Sequence, residues 1–355
     1  MSVANKDICW FTPHANHYHH YLMQKCSENS LSIDTIYFSK SISKYPWKTD
    51  FDDKSESLAK GVFGIDWLKA FDGLKEYKTT VVAGWGEPTM MVLLSIRAFL
   101  GKSYYLYTDT PQSKVRTGLK QKLRAVWLKY ILDKSTGILT TGKPGLNYFK
   151  GQGIDESKLI NFPFVTNLEF FTPDISKTSD KSLIFSSGRL DNAHKGYNVA
   201  LDALSNVKND FIYKVAGSGP DEVAINNQIL TKNLSDKVEL LGWTEPSELV
   251  EYYKKCDVFL HSSNFDPFPN AVLEAMACGC LVVASDKAGS AIDRIQSGEN
   301  GFLFESGNSN DLVQKLQKAL DLSYAERIVM KSNARKTAEN WSYLHNIQML
   351  KTMLN

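Results

Sequence analysis

Nowhere in this sequence do about 18 apolar residues follow one another, the length a membrane-spanning helix needs. The amino-terminal stretch also lacks the order of charged, apolar and small residues that marks a secretory signal. Ile8-Cys9-Trp10-Phe11 is instead a short apolar run that reads as a buried strand. Cysteine is scarce and odd in number: Cys9, Cys26, Cys256, Cys278 and Cys280 make five. Their spacing fits no zinc motif and several sit inside apolar runs, so buried free thiols in a reducing cytoplasm are expected rather than a disulfide framework. No low-complexity segment and no repeat of about 20–50 residues is present, which sets solenoids and propellers aside. Charge of neither sign dominates, with 41 Lys+Arg against 39 Asp+Glu, and no nucleic-acid partner is expected. The balance is uneven along the chain, however. Residues 1–172 hold 22 basic against 16 acidic side chains, and the remainder 19 against 23. The first half is therefore the one suited to an anionic surface.

A chain of 355 residues is too long for one ordinary core and suits two α/β domains. Strand-length apolar runs alternate with helix-length amphipathic segments. The runs are Ile8–Thr12, Thr35–Phe38, Val81–Gly84, Tyr104–Tyr107, Gly137–Thr140 and Leu159–Phe162. The pattern then restarts with Leu183–Ser187, Tyr213–Ala216, Val238–Leu241, Val258–His261, Leu281–Ala284 and Gly301–Phe304. Such alternation implies parallel sheets with helices on both faces. The polar segment Pro173–Lys181 reads as the linker, which predicts domains at 1–172 and 173–325. Residues 326–355 read as a helical tail that crosses back to the first domain. Open parallel sheets bind ligands beyond the carboxyl ends of their strands, so the residues just after each strand carry the functional signal.

In the second half, Leu183–Ser187 leads into Gly188-Arg189-Leu190-Asp191-Asn192-Ala193-His194-Lys195-Gly196. The glycines let backbone approach a ligand closely, and the two cations suit a diphosphate: Arg a planar fork, Lys a mobile point charge. Two solvated surface cations are the plain alternative. After Tyr213–Ala216 comes Gly217-Ser218-Gly219-Pro220, a side-chain-poor turn that lacks the third glycine of the dinucleotide fingerprint. Gly242-Trp243-Thr244 is a third turn at the same sheet edge, able to meet a base or to be an ordinary strand–helix turn. The richest segment runs from His261 to Gly279. A strand ends in small polar residues, an acidic loop holds Asp266, and a helix is predicted from Pro269-Asn270 to Gly279. Free amides at that helix start, around Pro269, Asn270 and Ala271, would bind a phosphate oxygen. Glu274, one turn inside and flanked by Ala275, Met276 and Ala277, is a carboxylate that needs a partner. Asp266, by contrast, could merely complement the helix dipole.

In this order and spacing, the segment Gly188–Phe304 resembles the donor domain of retaining GT-B glycosyltransferases of the large family 4. The resemblance rests on Gly-Arg…Lys-Gly, Ala-Gly-Ser-Gly-Pro at 216–220, Leu-Gly-Trp at 241–243, an acid-x7-Glu pair followed by Ala-Met-Ala-Cys-Gly, and Ala288-Gly289-Ser290…Gly298-Glu299-Asn300-Gly301. It implies a GT-B architecture, two Rossmann-like doubly wound domains facing across a cleft. It also implies that Arg189 and Lys195 hold the diphosphate of a UDP- or GDP-sugar, with Gly188, Gly217, Gly219, Trp243, Pro269, Asn270 and Ala271 around it and Glu274 on the ribose hydroxyls. Asp266 stands where the family's first glutamate contacts the donor sugar, one methylene shorter. The implied reaction is transfer of a glycosyl unit, with retention, to a hydroxyl of a glycan or lipid-linked acceptor in surface polysaccharide or lipopolysaccharide assembly. No metal and no other cofactor is expected, since cations and helix amides neutralise the leaving diphosphate. A sugar-nucleotide 2-epimerase and a non-catalytic sugar-nucleotide-binding homologue are the other readings of the same scaffold.

The first half matches this pattern less closely. His14-Ala15-Asn16-His17-Tyr18-His19-His20 follows the first strand, and its four histidines raise the question of metal. No acidic or cysteine ligand accompanies them, and His14 and His17 are placed instead at the acceptor side of the site. Trp85, after another strand, joins them. Asp109 follows Tyr104–Tyr107 and is a candidate catalytic group, or simply an Asx-turn. Residues 113–132 predict a basic helix in which Leu119, Leu123, Val126, Trp127, Tyr130 and Ile131 recur at helical spacing among Lys114, Arg116, Lys120, Lys122, Arg124 and Lys129. Such a helix either packs on the core with a solvated basic face or lies on an anionic membrane as a peripheral anchor.

Overall fold

The computed structural model describes residues 7–14, 16–39, 77–86, 88–111, 118–173 and 182–354. The chain divides into two compact units, Met1–Pro163 with Tyr343–Asn355, and Phe164–Ser342.

In the first unit the elements are β1 (Ile8–His14), α1 (His17–Glu28), β2 (Ile33–Ser39), β3 (Thr79–Ala83), α2 (Pro88–Phe99), β4 (Tyr104–Thr108), α3 (Leu119–Lys134), β5 (Gly137–Thr140), α4 (Gly142–Gly151), a 3-10 turn (Glu156–Lys158) and β6 (Leu159–Asn161). The six strands lie in the order β2-β1-β3-β4-β5-β6, and every pairing is parallel. Both faces are covered, so alternate residues of one strand go to opposite cores. Cys9, Phe11, Val82, Tyr104, Leu106 and Ile138 meet Met90, Leu93 and Leu94 of α2 and Ile131 and Leu132 of α3. On the other face Trp10 is buried, its ring 5.4 Å from that of His19 on α1.

The second unit continues with β7 (Ser182–Ser187), α5 (Asn192–Lys195), α6 (Tyr197–Leu204), β8 (Phe211–Ala216), α7 (Glu222–Thr231), β9 (Val238–Gly242), α8 (Pro246–Lys255), β10 (Val258–His261), α9 (Asn270–Ala277), β11 (Leu281–Ser285), α10 (Gly289–Arg294), β12 (Gly301–Phe304), α11 (Ser309–Leu320) and α12 (Tyr324–Asn340). Its sheet runs β12-β11-β10-β7-β8-β9, again all parallel. Counted from β7, that is the Rossmann order. The strand pleat sorts side chains cleanly. Ile184, Tyr213, Val215, Val258, Leu260 and Val283 enter one core with α6, α7 and α11. Phe185, Ala216, Phe259, Val282 and Ala284 enter the other with α8, α9 and α12.

The tail differs from the single returning segment expected over 326–355. Helix α12 stays in the second unit, where its Ala334 and Ala338 are fully buried against α9. Trp341 ends it, with its ring over the Arg294 guanidinium. Only the next helix, α13 (Tyr343–Thr352), joins the first unit. There Asn346 Nδ2 donates to the Pro163 carbonyl at 2.9 Å, and Tyr343 packs edge-on to Tyr21 of α1. The change of unit falls at Pro163–Phe164, ahead of the polar linker, of which 174–181 lie outside the described residues. No helix of the described residues is long and apolar enough to cross a membrane.

In each sheet the chain direction of growth reverses at one place, β1/β3 in the first and β7/β10 in the second. Loops that leave neighbouring strands there diverge to opposite faces and leave a crevice at the carboxyl end. The loops after β7 and β10 are the ones that carry Arg189, Lys195 and Asp266.

Candidate functional site

The loop after β7 is built to present its cation. Gly188 takes φ +153°, and Asp191 caps the short helix α5 by accepting from the His194 amide at 3.3 Å. Gly196 closes α5 in the left-handed conformation, φ +63°. A side chain at 196 would also collide with the Ser262 carbonyl of the loop after β10, so glycine serves both the backbone turn and the approach of that second loop. Hydrogen bonds tie the loops together. The Ser262 hydroxyl donates to the Lys195 carbonyl (2.9 Å), the Asn264 amide to the His194 carbonyl (2.8 Å), and Asn264 Nδ2 to the Asn192 carbonyl (3.0 Å).

Between these loops Lys195 Nζ is bonded to Asp266 Oδ2. His261, the last residue of β10, brings its Nε2 to 3.3 Å from the same oxygen and 2.9 Å from Ser263 Oγ. The pair is shielded, with side-chain exposures of 23% for Lys195, 13% for Asp266 and 4% for His261. Burial by itself would raise the Asp266 carboxyl, but the Lys195 ammonium and the His261 ring outweigh it and hold the group well below the usual carboxylate range. Burial lowers His261, with the Lys195 ammonium acting the same way against the pull of Asp266. A small recess beside them is lined by Ser187, Lys195, Tyr197, His261 and Ser263.

Glu274 lies a turn inside α9, buried, and its Oε2 accepts from the Tyr253 hydroxyl at 2.9 Å. The phenol has one hydrogen and spends it there, so Ser187, 2.7 Å away, must donate to the phenol oxygen. The Glu274 carboxylate is thereby tied to the carboxyl end of β7, the sheet edge from which Gly188 and Arg189 depart. Helix α9 starts at Asn270 with Pro269 as its cap residue and no side-chain cap. The amides of its first turn are left without the usual capping oxygen, and Asn270 Oδ1 is buried with no partner among the described residues. The Ser290 hydroxyl donates to the Pro269 carbonyl at 2.6 Å and fixes the start of the helix.

Sequence reasoning brings Lys195 and Asp266 to one site, and the structure joins them directly. Asp266 is engaged by protein donors rather than standing open. Arg189 is exposed, and its guanidinium makes no ion pair among the described residues. Gly217 and Gly219 have a local explanation as well: a side chain at 217 would strike the Gly188 carbonyl, and one at 219 would strike Leu190 backbone, because the β8 turn packs against the β7 loop. The Leu190 amide donates to the Ser218 carbonyl at 3.0 Å. Trp243 stands 37% exposed after β9. In the first unit His14 ends β1, His17 opens α1 and Trp85 follows β3, which sets all three at that sheet's own reversal point; Asp109 follows β4. Among the described residues no group of three His, Cys, Asp or Glu could hold a metal ion.

Four residues escaped the sequence reading. His261 sits in an apolar strand and carries no motif of its own, and Ser187 and Tyr253 look like strand and helix filler. Arg294 is the fourth. Its guanidinium lies between Phe268 (4.6 Å) and Trp341 (4.5 Å), and Nη2 donates to the Phe164 carbonyl at 3.3 Å. Burial lowers it to about 9. It backs the Pro267–Pro269 stretch that joins Asp266 to α9.

Residues 169–337 match the family model of the glycosyl transferases group 1. The chain also resembles an N-acetylgalactosaminyltransferase of Campylobacter jejuni that acts on N-acetylgalactosamine-N,N'-diacetylbacillosaminyl-diphospho-undecaprenol. The two are 33% identical over 138 residues, 39% of this chain and 37% of that one. The chain spans less than two thirds of the length of the curated relatives it matches. Among solved structures, HepE of Anabaena in complex with UDP and glucose superposes with a TM-score of 0.76 at 16% identity, over 98% of this chain and 99% of that one. Sucrose-phosphate synthase of Thermosynechococcus elongatus does so with 0.78 at 17% identity, over 98% of each chain. The fold is GT-B: two α/β units, each with a six-stranded parallel sheet.

Proposed function

We propose that this chain is a retaining glycosyltransferase that moves a sugar from a nucleoside-diphosphate sugar to a hydroxyl of a glycan or lipid-linked acceptor. The observation that carries the reading is the convergence of Lys195, Asp266 and the uncapped start of α9 at the β7/β10 reversal point of a group 1 segment. Charge grows on the departing diphosphate as the glycosidic bond breaks. A point cation at Lys195, a planar one at Arg189 and free helix amides are the groups suited to hold that charge, and none of them has to give up a proton. Glu274, fixed by Tyr253, is an acceptor for ribose hydroxyls. HepE has been captured with UDP and glucose, and the Campylobacter relative acts on a polyprenyl-diphosphate glycan, which supports a UDP-sugar donor and a lipid-linked acceptor. His14, His17 and Trp85 are assigned to the acceptor side, and Asp109 to the catalytic groups. Helix α3 is assigned to an anionic bilayer, consistent with a peripheral enzyme of surface-glycan assembly.

The test is a thermal-shift screen against UDP, GDP, ADP and their sugars, followed by turnover with the sugar nucleotide selected. Arg189→Ala and Lys195→Ala are expected to lose at least about 100-fold in turnover, the order measured for a removed oxyanion donor; both stay folded, Arg189→Ala melting as the parent does and Lys195→Ala lower because Asp266 loses its cation. Parental turnover in either variant, or inversion at the anomeric carbon of the product by NMR, would sink the corresponding part of the reading.

A further inference from the structure

Asp266 sits on a loop, and a carboxylate there turns freely about its last torsion unless something holds one oxygen. Two donors do. Lys195 Nζ bonds Oδ2 from the β7 side, and His261 Nε2 approaches the same oxygen to 3.3 Å from the end of β10. With its hydrogen on Nε2 the imidazole donates toward this carboxylate, and Ser263 Oγ lies 2.9 Å from the same nitrogen. The ring cannot swing away, being fully enclosed, stacked 6.3 Å from Phe259 with planes 23° apart, and tied to Ser263 Oγ at 2.9 Å. Oδ1 has no hydrogen-bond partner among the described residues. A carboxylate offers lone pairs on both oxygens, and here one oxygen is spent on the protein and the other is kept.

We propose that His261 is a positioning residue for donor-sugar recognition: together with Lys195 it pins Oδ2 of Asp266, so that Oδ1 is the acceptor for a sugar hydroxyl. The proposal rests on the nucleotide-sugar reading above and adds to it a residue that no motif marks. It also accounts for aspartate at 266. The short side chain is held from β10 itself, so the sugar is read close to the strand end, beside the recess formed with Ser187 and Tyr197. A group that only fills space would act on nucleotide and sugar nucleotide alike. A group that aims Oδ1 acts on the sugar alone.

The experiment is calorimetric titration of UDP, GDP, UDP-glucose, UDP-galactose, UDP-N-acetylglucosamine, UDP-N-acetylgalactosamine and GDP-mannose into the parent and into His261→Phe, His261→Leu, His261→Gln and Asp266→Asn. His261→Phe keeps a ring and removes the donor, and His261→Leu serves if that ring does not fit. Either is expected to leave nucleoside-diphosphate Kd within about threefold and to weaken the preferred sugar nucleotide about tenfold or more, the size of one lost hydrogen bond to a charged group. His261→Gln restores a donor and most of the affinity. In the Asp266→Asn background the His261 change adds nothing further, since both act through one oxygen. Equal losses for nucleotide and sugar nucleotide, or no loss for either, overturn the proposal. A ring protonated on Nδ1 in imidazole nitrogen NMR of the parent overturns it without any ligand. If the parent binds none of the seven compounds, the nucleotide reading itself falls.

Discussion

His19 and His261 are both enclosed imidazoles, but they differ in what surrounds them. His261 faces a carboxylate and an ammonium. His19 lies on α1 against Trp10, with Nε2 3.2 Å from Thr35 Oγ1 and His20 beside it. Burial lowers it to about 3, with His20 pushing the same way. The folded value lies below the unfolded 6.5, so the unfolded chain takes up the proton first and stability is lost as pH falls below 6.5, down to about 3. By pH 5 the loss from this one group should reach about 2 kcal/mol. Urea unfolding of the first unit between pH 7.5 and 5 measures it, and His19→Phe should flatten the pH dependence; an unchanged slope in that variant contradicts the assignment. In the sequence the four histidines from 14 to 20 look alike. Which one enters the core is decided by helix phase, since only His19 shares a face with the buried Leu22 and Cys26. Phase cannot be read until the start of α1 at Asn16 is known, and the side chain that caps it is the one signal available beforehand.

At the scale of elements, the twelve apolar runs and the twelve strands agree within a few residues. A parallel strand is buried on both faces, so its apolar run is continuous and its ends are marked by glycine and small polar residues. Helix α9 was equally legible, because Pro269 before it and Gly279 after it, at φ +70°, punctuate it. Helix α3 was not. It spans 119–134, while 112–117, including the start expected at 113, lie outside the described residues. The spacing merges two stripes into one. Trp127, Leu128, Ile131 and Leu132 pack on the first unit's core, whereas Leu123 (64% exposed), Val126 (70%) and Tyr130 (42%) stand outward beside Lys122 and Lys129. Periodicity alone cannot separate a stripe that meets the core from one next to it. The outward stripe, apolar and basic together, has the chemistry of an interfacial helix. Flotation with phosphatidylglycerol vesicles should carry the protein up, zwitterionic vesicles should do so less, and Val126→Glu with Leu123→Glu should abolish it without lowering the melting temperature. Absence of binding by the parent removes the membrane from the proposed partners.

At the scale of the whole molecule, the order of elements along the chain differs from the order in which they pack. The first unit is completed by the last helix. Tyr343 reaches Tyr21 at 5.9 Å, Lys25 lies 5.4 Å over the Tyr343 ring, and the fully buried Asn346 donates to the Pro163 carbonyl. The return was legible in outline from an aromatic and apolar tail after the last strand. Where it begins was not, because α12 and α13 share one helical pattern, and the break at Trp341-Ser342 is set by Arg294 drawing the indole into the second unit. The consequence is separable by truncation. A chain ending at Ser342 loses the cover of α1 and of the β6 end, while α12 and its buried Ala334 and Ala338 stay in place. Each lost large apolar contact is worth about 1–3 kcal/mol, and Ile347 and Leu350 are both buried. Hydrogen exchange should therefore show protection lost in α1, β1 and β6 and retained in β7, β10 and β11. On the proposed function, nucleoside-diphosphate binding should survive, since Arg189, Lys195 and Glu274 all belong to the second unit. If protection falls equally in both sheets, α13 serves the chain as a whole and the division of labour argued from its contacts is wrong.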